Sequence, residues 1–327
     1  MTILVTGSAG HLGEALVRSL RSATQCVRGL DIKPSSFTDC IGSICDQDFV
    51  RECMSGARAV IHAATLHKPH LATHSSQDFV DNNVMGTLIL LEAALAAGVE
   101  SFVFTSTTSA FGSALSPAAG QPAAWVTEDV APIPKNIYGV TKVAAEGLCE
   151  LFFRKHGLPV IVLRTSRFFP EADDDAIVRE TYETANAQAN ELLYRRVDIA
   201  DVVSAHLLAV EKARTIGFGR YIISATTPFR CDDLADLRRC APEVVHRLFP
   251  DCEALFAARK WTLFPQIDRV YVNQLAIADL DWRPKHDFRH VLDCLRHNED
   301  FRSPLAREVG SKGYHTTAFE EGPYPLG

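Results

Sequence analysis

The first apolar run, Thr2-Ile3-Leu4-Val5-Thr6, ends directly in Gly7-Ser8-Ala9-Gly10-His11-Leu12-Gly13. From Gly13 to Arg21 the pattern is helical, with Leu16, Val17 and Leu20 on one face. A strand, a turn with glycine at every third position and a helix therefore follow one another without a spacer. The first glycine permits a tight turn. The second lets backbone approach a pyrophosphate, and the third allows helix and strand to pack closely. The helix N-terminus adds N–H groups that favour an anion. That arrangement, at the first strand–helix junction, predicts a dinucleotide cradle built from Gly7, Gly10, His11, Leu12 and Gly13.

The following 150 residues repeat the alternation. Strand-like runs are read at Cys26 to Asp31, Ile41 to Ile44, Ala59 to Ala64, Ser101 to Thr105 and Val160 to Arg164. Helices are read at Phe79 to Ala97 and Tyr138 to His156. Such alternation predicts an α/β fold with a doubly wound, mostly parallel sheet. Residues 1–166 form the expected dinucleotide-binding domain, and 167–327 an interleaved, mostly helical substrate region. Ala200 to Ala213 (helix) and Tyr221 to Ser224 (strand) are assigned to completing the sheet from within 197–225.

Composition narrows the classes. Apolar residues make up 47% and charged ones 22%, with a net charge of −7. That excludes a disordered chain and disfavours a nucleic-acid partner. No apolar run is read as long enough for a bilayer, and the N-terminus lacks a basic leader. The nine cysteines are scattered with no Cys-x-x-Cys pair, which fits a reduced, cytoplasmic chain. No membrane contact is expected.

Asp31 closes the second strand, 18 residues after Gly13. A carboxylate there accepts from ribose hydroxyls and repels a 2′-phosphate, favouring NAD, with Arg28 and Lys33 weakening that preference. Tyr138 and Lys142 are four apart at a helix start, so they share a face. An ammonium beside a phenol lowers the phenol's pKa and makes it usable in proton transfer. Thr105-Ser106-Thr107-Thr108-Ser109 follows a strand, where parallel sheets hold ligands.

In this order these motifs resemble the extended short-chain dehydrogenases/reductases, specifically the NAD-dependent epimerase/dehydratase group. The further residues that carry the resemblance are His62-Ala63-Ala64, Asn83-Val84-x-Gly86-Thr87, Ala110-Phe111-Gly112 and Leu163-Arg164. It implies Tyr138, Lys142 and Thr107 as the catalytic set, with Asn83 in support. NAD is expected against the glycine turn, Asp31, Ser43, Ile44, Ala63, Ala64, Thr105, Tyr138, Lys142, Thr165 and Ser166. Substrate is expected against His67, Ser106, Thr107, Thr108, Arg167 and Arg196. A homodimer is implied through the two long helices, with Leu88, Leu91 and Leu95 as its apolar face.

The chain departs from the group on the substrate side. Gly42-Ser43-Ile44 replaces Gly-Asp-Ile/Leu, Phe111 replaces a tyrosine and Arg167 an asparagine. Glu191-Leu192-Leu193 stands where a glycine-rich segment precedes the nucleotide contact, and Arg195 and Arg196 follow. The substrate is therefore expected to be a sugar or sugar nucleotide, a smaller sugar, a sugar acid or another secondary alcohol, with Arg167, Arg195 and Arg196 able by geometry to bind a carboxylate or phosphate. His67, His70 and His74 could ligate zinc, but Pro69 breaks their helix face and no acid is adjacent; a substrate-contacting loop without metal is preferred. Two chemistries share the same residues: epimerisation through transient oxidation, and net dehydrogenation. A non-catalytic NAD sensor is the third reading. The tail around Gly313-Tyr314-His315 and Pro323-Tyr324-Pro325 is expected to be irregular and to cover the cleft or a neighbour.

Overall fold

The computed structural model describes residues 2–313. The chain enters as β1 (Thr2–Thr6), turns into α1 (His11–Ser22), and returns as β2 (Cys26–Asp31) and β3 (Cys40–Ile41). A helix that the hydropathy pattern leaves unassigned, α2 (Gln47–Met54), leads to β4 (Ala57–His62). Asp46 caps α2, accepting from the Phe49 N–H.

The long helix expected over 79–97 is interrupted. It comprises α3 (Ser76–Phe79), a wider π-helical turn (Val80–Met85) and α4 (Gly86–Ala96). The expectation about apolar runs needs correcting here: Ser76–Ala96 is long and apolar enough to cross a membrane. Phe79, Leu90, Leu91 and Ala94 are nevertheless fully buried in the core, so this apolar character serves packing. There follow β5 (Ser101–Thr107), β6 (Ala124–Val126), α5 (Ile137–His156) and β7 (Val160–Thr165). The Asn136 side chain caps α5 at the Gly139 N–H, and Gly157 ends it in the left-handed conformation. Then come α6 (Ala176–Thr181), α7 (Thr184–Glu191), α8 (Ile199–Ile216), β8 (Phe218–Ile223) and, further on, β9 (Arg269–Tyr271).

Seven strands make one parallel sheet in the order β3-β2-β1-β4-β5-β7-β8. The strand β8 pairs with β7 from Val160↔Phe218 to Thr165↔Ile223. Both sheet faces are covered, so central strands read as continuous apolar runs. On one face Leu12, Leu16 and Val17 of α1 pack with Val202 and Val203 of α8. On the other, Leu90 and Leu91 of α4 meet Phe102, Phe104 and Cys149. Each fully buried Leu or Phe contributes about 2 kcal/mol. A separate core around Phe229, Leu237, Phe256 and Phe288 supports the C-terminal region. Of the three leucines expected to face a second copy, Leu91 belongs to this sheet-covering core, while Leu95 is exposed together with Met85, Val140 and Leu151.

Strand order reverses between β1 and β4. In a parallel sheet that reversal opens a crevice at the carboxyl ends of the two strands. The glycine turn leaves β1 there, and Ala63-Ala64 leaves β4.

Candidate active site

The crevice holds a cavity of about 340 Å3. Its wall runs from Asp31, Ile32 and Lys33, past the glycine turn and Ala63-Ala64, to Tyr138 and Lys142. The glycines are required by shape. Gly7 has φ +75°, and a Cβ on it would stand 2.8 Å from the Ala64 nitrogen. A Cβ on Gly13 would stand 1.9 Å from the Gly7 carbonyl oxygen. Any other residue would therefore fill the cradle or push α1 away. Asp31 is fixed by the Ala9 N–H (3.0 Å) and the Lys33 N–H (2.9 Å). Arg28 turns away to the Cys53 and Ser55 carbonyls, which leaves Lys33 as the basic neighbour on this wall. A carboxylate at the end of β2, a cradle that a Cβ would fill and a helix N-terminus fit a dinucleotide without a 2′-phosphate.

At the other end, Lys142 is buried; it donates to the Thr105 carbonyl (2.6 Å), and its Nζ lies 4.0 Å from the centre of the Phe104 ring. Burial lowers its pKa from 10.5 to about 7, against the pull of Glu146 and Cys149. Tyr138, one helical turn earlier, is 8% exposed. The expected acidification of its phenol is not what the structure gives. Burial raises it to about 12, and its hydrogen bond with Thr107 opposes the rise. Thr107 also accepts from the Ser109 N–H at 3.1 Å. The π-helical turn presents Asn83, which bonds both the N–H and the C=O of Leu66 (2.8 Å each) and Thr141 Oγ1 (3.1 Å). Such turns recur at functional sites because they re-aim one side chain.

A second cavity, of about 280 Å3, adjoins the first. Tyr138, His67, Thr165, Phe168 and Phe169 line both. Its other walls carry Thr107, Thr108, Ser109, Ser166, Arg167, Arg195, Arg269 and Tyr271. His67 stacks on Phe169 (5.6 Å between ring centres), and burial holds its pKa well below the usual imidazole value. Among the described residues, no group of three histidine, cysteine or acidic side chains could hold a metal ion.

Four sequence assignments are redirected. Ser43 does not line the cofactor cavity; its hydroxyl accepts from the Cys45 N–H in a turn. Ser166 lines the second cavity rather than the first. Ser106 borders the first cavity, but its hydroxyl is spent on Glu146 (2.5 Å), because successive residues of β5 point to opposite faces. Arg196 leaves the substrate wall altogether, bonding Glu191 (2.7 Å) and the Phe169 carbonyl (2.9 Å). Residues 195–197 pair with Arg167 as an extended segment, through Arg167 N to Arg195 O and Val197 N to Arg167 O. Alternation then sends Arg195 to the cavity and Arg196 inward. Arg167 does line the cavity, but its Nη groups hold Asp173, Asp174 and the Ala172 carbonyl.

The pattern did not single out Glu146, Arg269 or Glu171. Glu146 is four residues after Lys142 and receives a two-nitrogen grip from Arg164 on the neighbouring strand. Glu171 bonds His11 (2.9 Å) over the glycine turn and accepts from Ser311 Oγ (2.7 Å). Burial pushes Glu171 up, but the bonds from His11 and Ser311 outweigh it and hold it at about 2. Lys312 and Gly313 border the first cavity, with Lys312 paired to Glu14. Tyr314, His315 and 323–325, assigned to a cover, lie outside the described residues.

Residues 3–223 match the model of the NAD dependent epimerase/dehydratase family. The chain belongs to that family. Proteins similar to it include a dTDP-glucose 4,6-dehydratase of Streptomyces niveus, 32% identical over 192 residues, covering 52% of this chain and 55% of that protein. An L-arabinose 1-dehydrogenase (NAD(P)(+)) of Haloferax volcanii is 32% identical over 170 residues, covering 50% and 65%. The chain thus spans about half to two thirds of these relatives. A short-chain dehydrogenase/reductase superfamily protein from Agrobacterium tumefaciens, crystallised with bound NAD, superposes with a TM-score of 0.63 at 24% identity, covering 94% of this chain and 99% of that one. The likeness of fold to that protein therefore extends beyond the family match into the C-terminal region.

Proposed function

We propose that this family member binds NAD in the first cavity and oxidises a secondary hydroxyl of a sugar-type substrate in the second. The observation that carries the reading is the place of Tyr138. It lines both cavities, with Thr107 as its hydrogen-bond partner. The residues that would hold the cofactor are the glycine turn, Asp31, Ala63, Ala64 and Lys142; NAD, when bound, supplies the hydride acceptor.

The chain's own groups would do the rest. Tyr138 stands as a neutral phenol at pH 7, ready to give its proton to a substrate oxygen. In the oxidising direction only its phenolate form can take the hydroxyl proton, and Thr107, whose hydrogen bond lowers the phenol's pKa against the rise from burial, positions the same oxygen. Lys142, tied to the Thr105 carbonyl, orients the base of the site. His67 stacks on Phe169, which packs against Phe168, and all three line both cavities as a shared aromatic wall.

We read the overall reaction as epimerisation through transient oxidation. Net dehydrogenation is the second reading, and the similarity to an arabinose dehydrogenase favours it. A 4,6-dehydration is less suited, since Thr108-Ser109 beside Thr107 offers no acid pair. We propose a homodimer, a reading that exposed Met85, Leu95, Val140 and Leu151 on α4, α5 and the π-helical turn support, and a cytoplasmic location, which the scattered cysteines fit.

The test is Tyr138→Phe in a sugar panel, with turnover and NAD affinity measured separately. Turnover should fall by about 1000-fold or more, with NAD affinity kept within about threefold. Undiminished turnover would remove Tyr138 from the chemistry. Tightly retained NAD supports epimerisation, whereas NADH accumulating with substrate supports net dehydrogenation.

A further inference from the structure

We propose that the second cavity takes a nucleotide-free sugar bearing one anionic group, a carboxylate or a phosphate ester, gripped by Arg195 and Arg269. This rests on the reading of that cavity as the substrate site beside Tyr138, and it names the substrate class.

The charges on the wall are unequally spent. Its two carboxylates are already partnered: Asp174 by Lys68 and Arg167, Glu171 by His11 and Ser311. Arg167 is consumed by its own loop. Arg195 commits Nη2, to Asp173 (2.9 Å) and Glu191 (2.7 Å). Arg269 commits Nε, to Asp268 (3.0 Å). Among the described residues, Arg195 Nη1 and both Nη groups of Arg269 have no protein acceptor. Both side chains are about a fifth exposed, at 22% and 20%.

The backbone brings the two arginines together. Tyr271 N donates to Tyr194 O at 3.0 Å, so the residue after Tyr194 and the one two before Tyr271 share a wall. The carboxylates that balance them, Asp173, Glu191 and Asp268, are not on that wall. On and behind this side of the wall, the ion pairs of Lys68, Arg167, Arg195 and Arg196 are made with Asp173, Asp174 and Glu191, four positive groups to three negative ones. A guanidinium fork matches a carboxylate or a phosphate in two hydrogen bonds.

The lining sets the other limit. Where the related enzymes carry a glycine-rich segment before a nucleotide contact, this chain has buried Glu191-Leu192-Leu193, none of which lines this cavity of about 280 Å3. The cavity suits a monosaccharide, whose hydroxyls would meet Thr107, Thr108, Ser109 and Ser166 on the same walls.

Isothermal titration on the NAD-saturated protein tests this, with glucuronate, galacturonate, glucose 6-phosphate, glucose, galactose and UDP-glucose as probes. At least one anionic monosaccharide should bind about tenfold tighter than its neutral parent. The uronate and phosphate arms identify which anion it is. Arg195→Gln and Arg269→Gln should each erase that preference while leaving NAD affinity unchanged, which also reports that each variant is folded. The proposal is overturned if no anionic sugar is preferred, if UDP-glucose binds tightest, or if Arg269→Gln leaves the ratio of acid to neutral sugar unchanged. Failure of the unsubstituted protein to bind NAD would instead overturn the functional reading beneath it.

Discussion

Replacing Glu146 by glutamine should damage this protein from below its active site. Glu146 and Arg164 form an ion pair whose side chains are 2% and 4% exposed. Arg164 reaches both carboxylate oxygens, its Nη1 has no partner, and its guanidinium carbon lies 4.9 Å from the centre of the Phe111 ring. Removing one charge of such a pair leaves the other buried and uncompensated, at a cost of about 3–5 kcal/mol. A glutamine keeps one oxygen but turns an amide N–H toward the arginine, so little of that is recovered. A control is at hand. Glu150 pairs with Arg220 near the surface, both about a third exposed, and Glu150→Gln should cost less than about 1 kcal/mol. The same substitution at 146 also leaves Ser106 Oγ and Arg164 to share one acceptor oxygen, and removes the main charge that raises the Lys142 pKa. Lys142 should then fall below about 7, and the alkaline loss of Lys142-dependent activity should move to lower pH. Urea unfolding at pH 7 and a pH–rate profile measure the two effects. A stability loss under about 1 kcal/mol together with an unmoved profile would refute the argument; a loss without a profile shift would confine Glu146 to structure.

Lys142 itself should give stability a pH slope. Its folded pKa is depressed from 10.5 to about 7, so between those values the unfolded chain binds more protons and stability rises with pH. Below pH 7 both states are protonated and the full penalty, on the order of 5 kcal/mol, is present. Lys142→Met should flatten the rise between about pH 7 and 10 while abolishing turnover; equal slopes in parallel urea titrations would contradict this. Asp31→Ala should weaken NAD about tenfold and narrow the discrimination against NADP, because Lys33 is then the charged group at that end of the cavity. An unchanged NAD/NADP ratio in fluorescence titrations would remove Asp31 from that role.

The dinucleotide half was legible because its determinants are local. Gly7, Gly10 and Gly13 act through a single turn, and Tyr138 and Lys142 through one turn of helix, so spacing in sequence is spacing in space. The π-helical turn at Val80–Met85 was not legible, since nothing in the 3.6-residue pattern marks one extra residue. Glu146 could have been found. It continues the Tyr138–Lys142 face by four residues, and Arg164 is the cation next to it on β7. Arg269 offered no local signal. It reaches the cavity only because β9 pairs with β6 and leans on Tyr194, contacts separated by more than 70 residues.

The exchange of Arg196 for Arg195 shows why the substrate side resists reading from spacing. Two adjacent arginines differ by nothing but parity, and parity matters only once the segment is known to be extended. The pairing of 195–197 with Arg167 supplies that fact. Given it, one arginine must face inward, where Glu191 meets it at 2.7 Å, and the other must face the cavity. The inward one is then not spare. Without Arg196, Glu191 would be a buried carboxylate held by Arg195 alone, and Arg195 would be drawn off the wall. The two side chains thus take complementary roles, with Arg196 absorbing the buried charge so that Arg195 can keep donors turned toward a ligand.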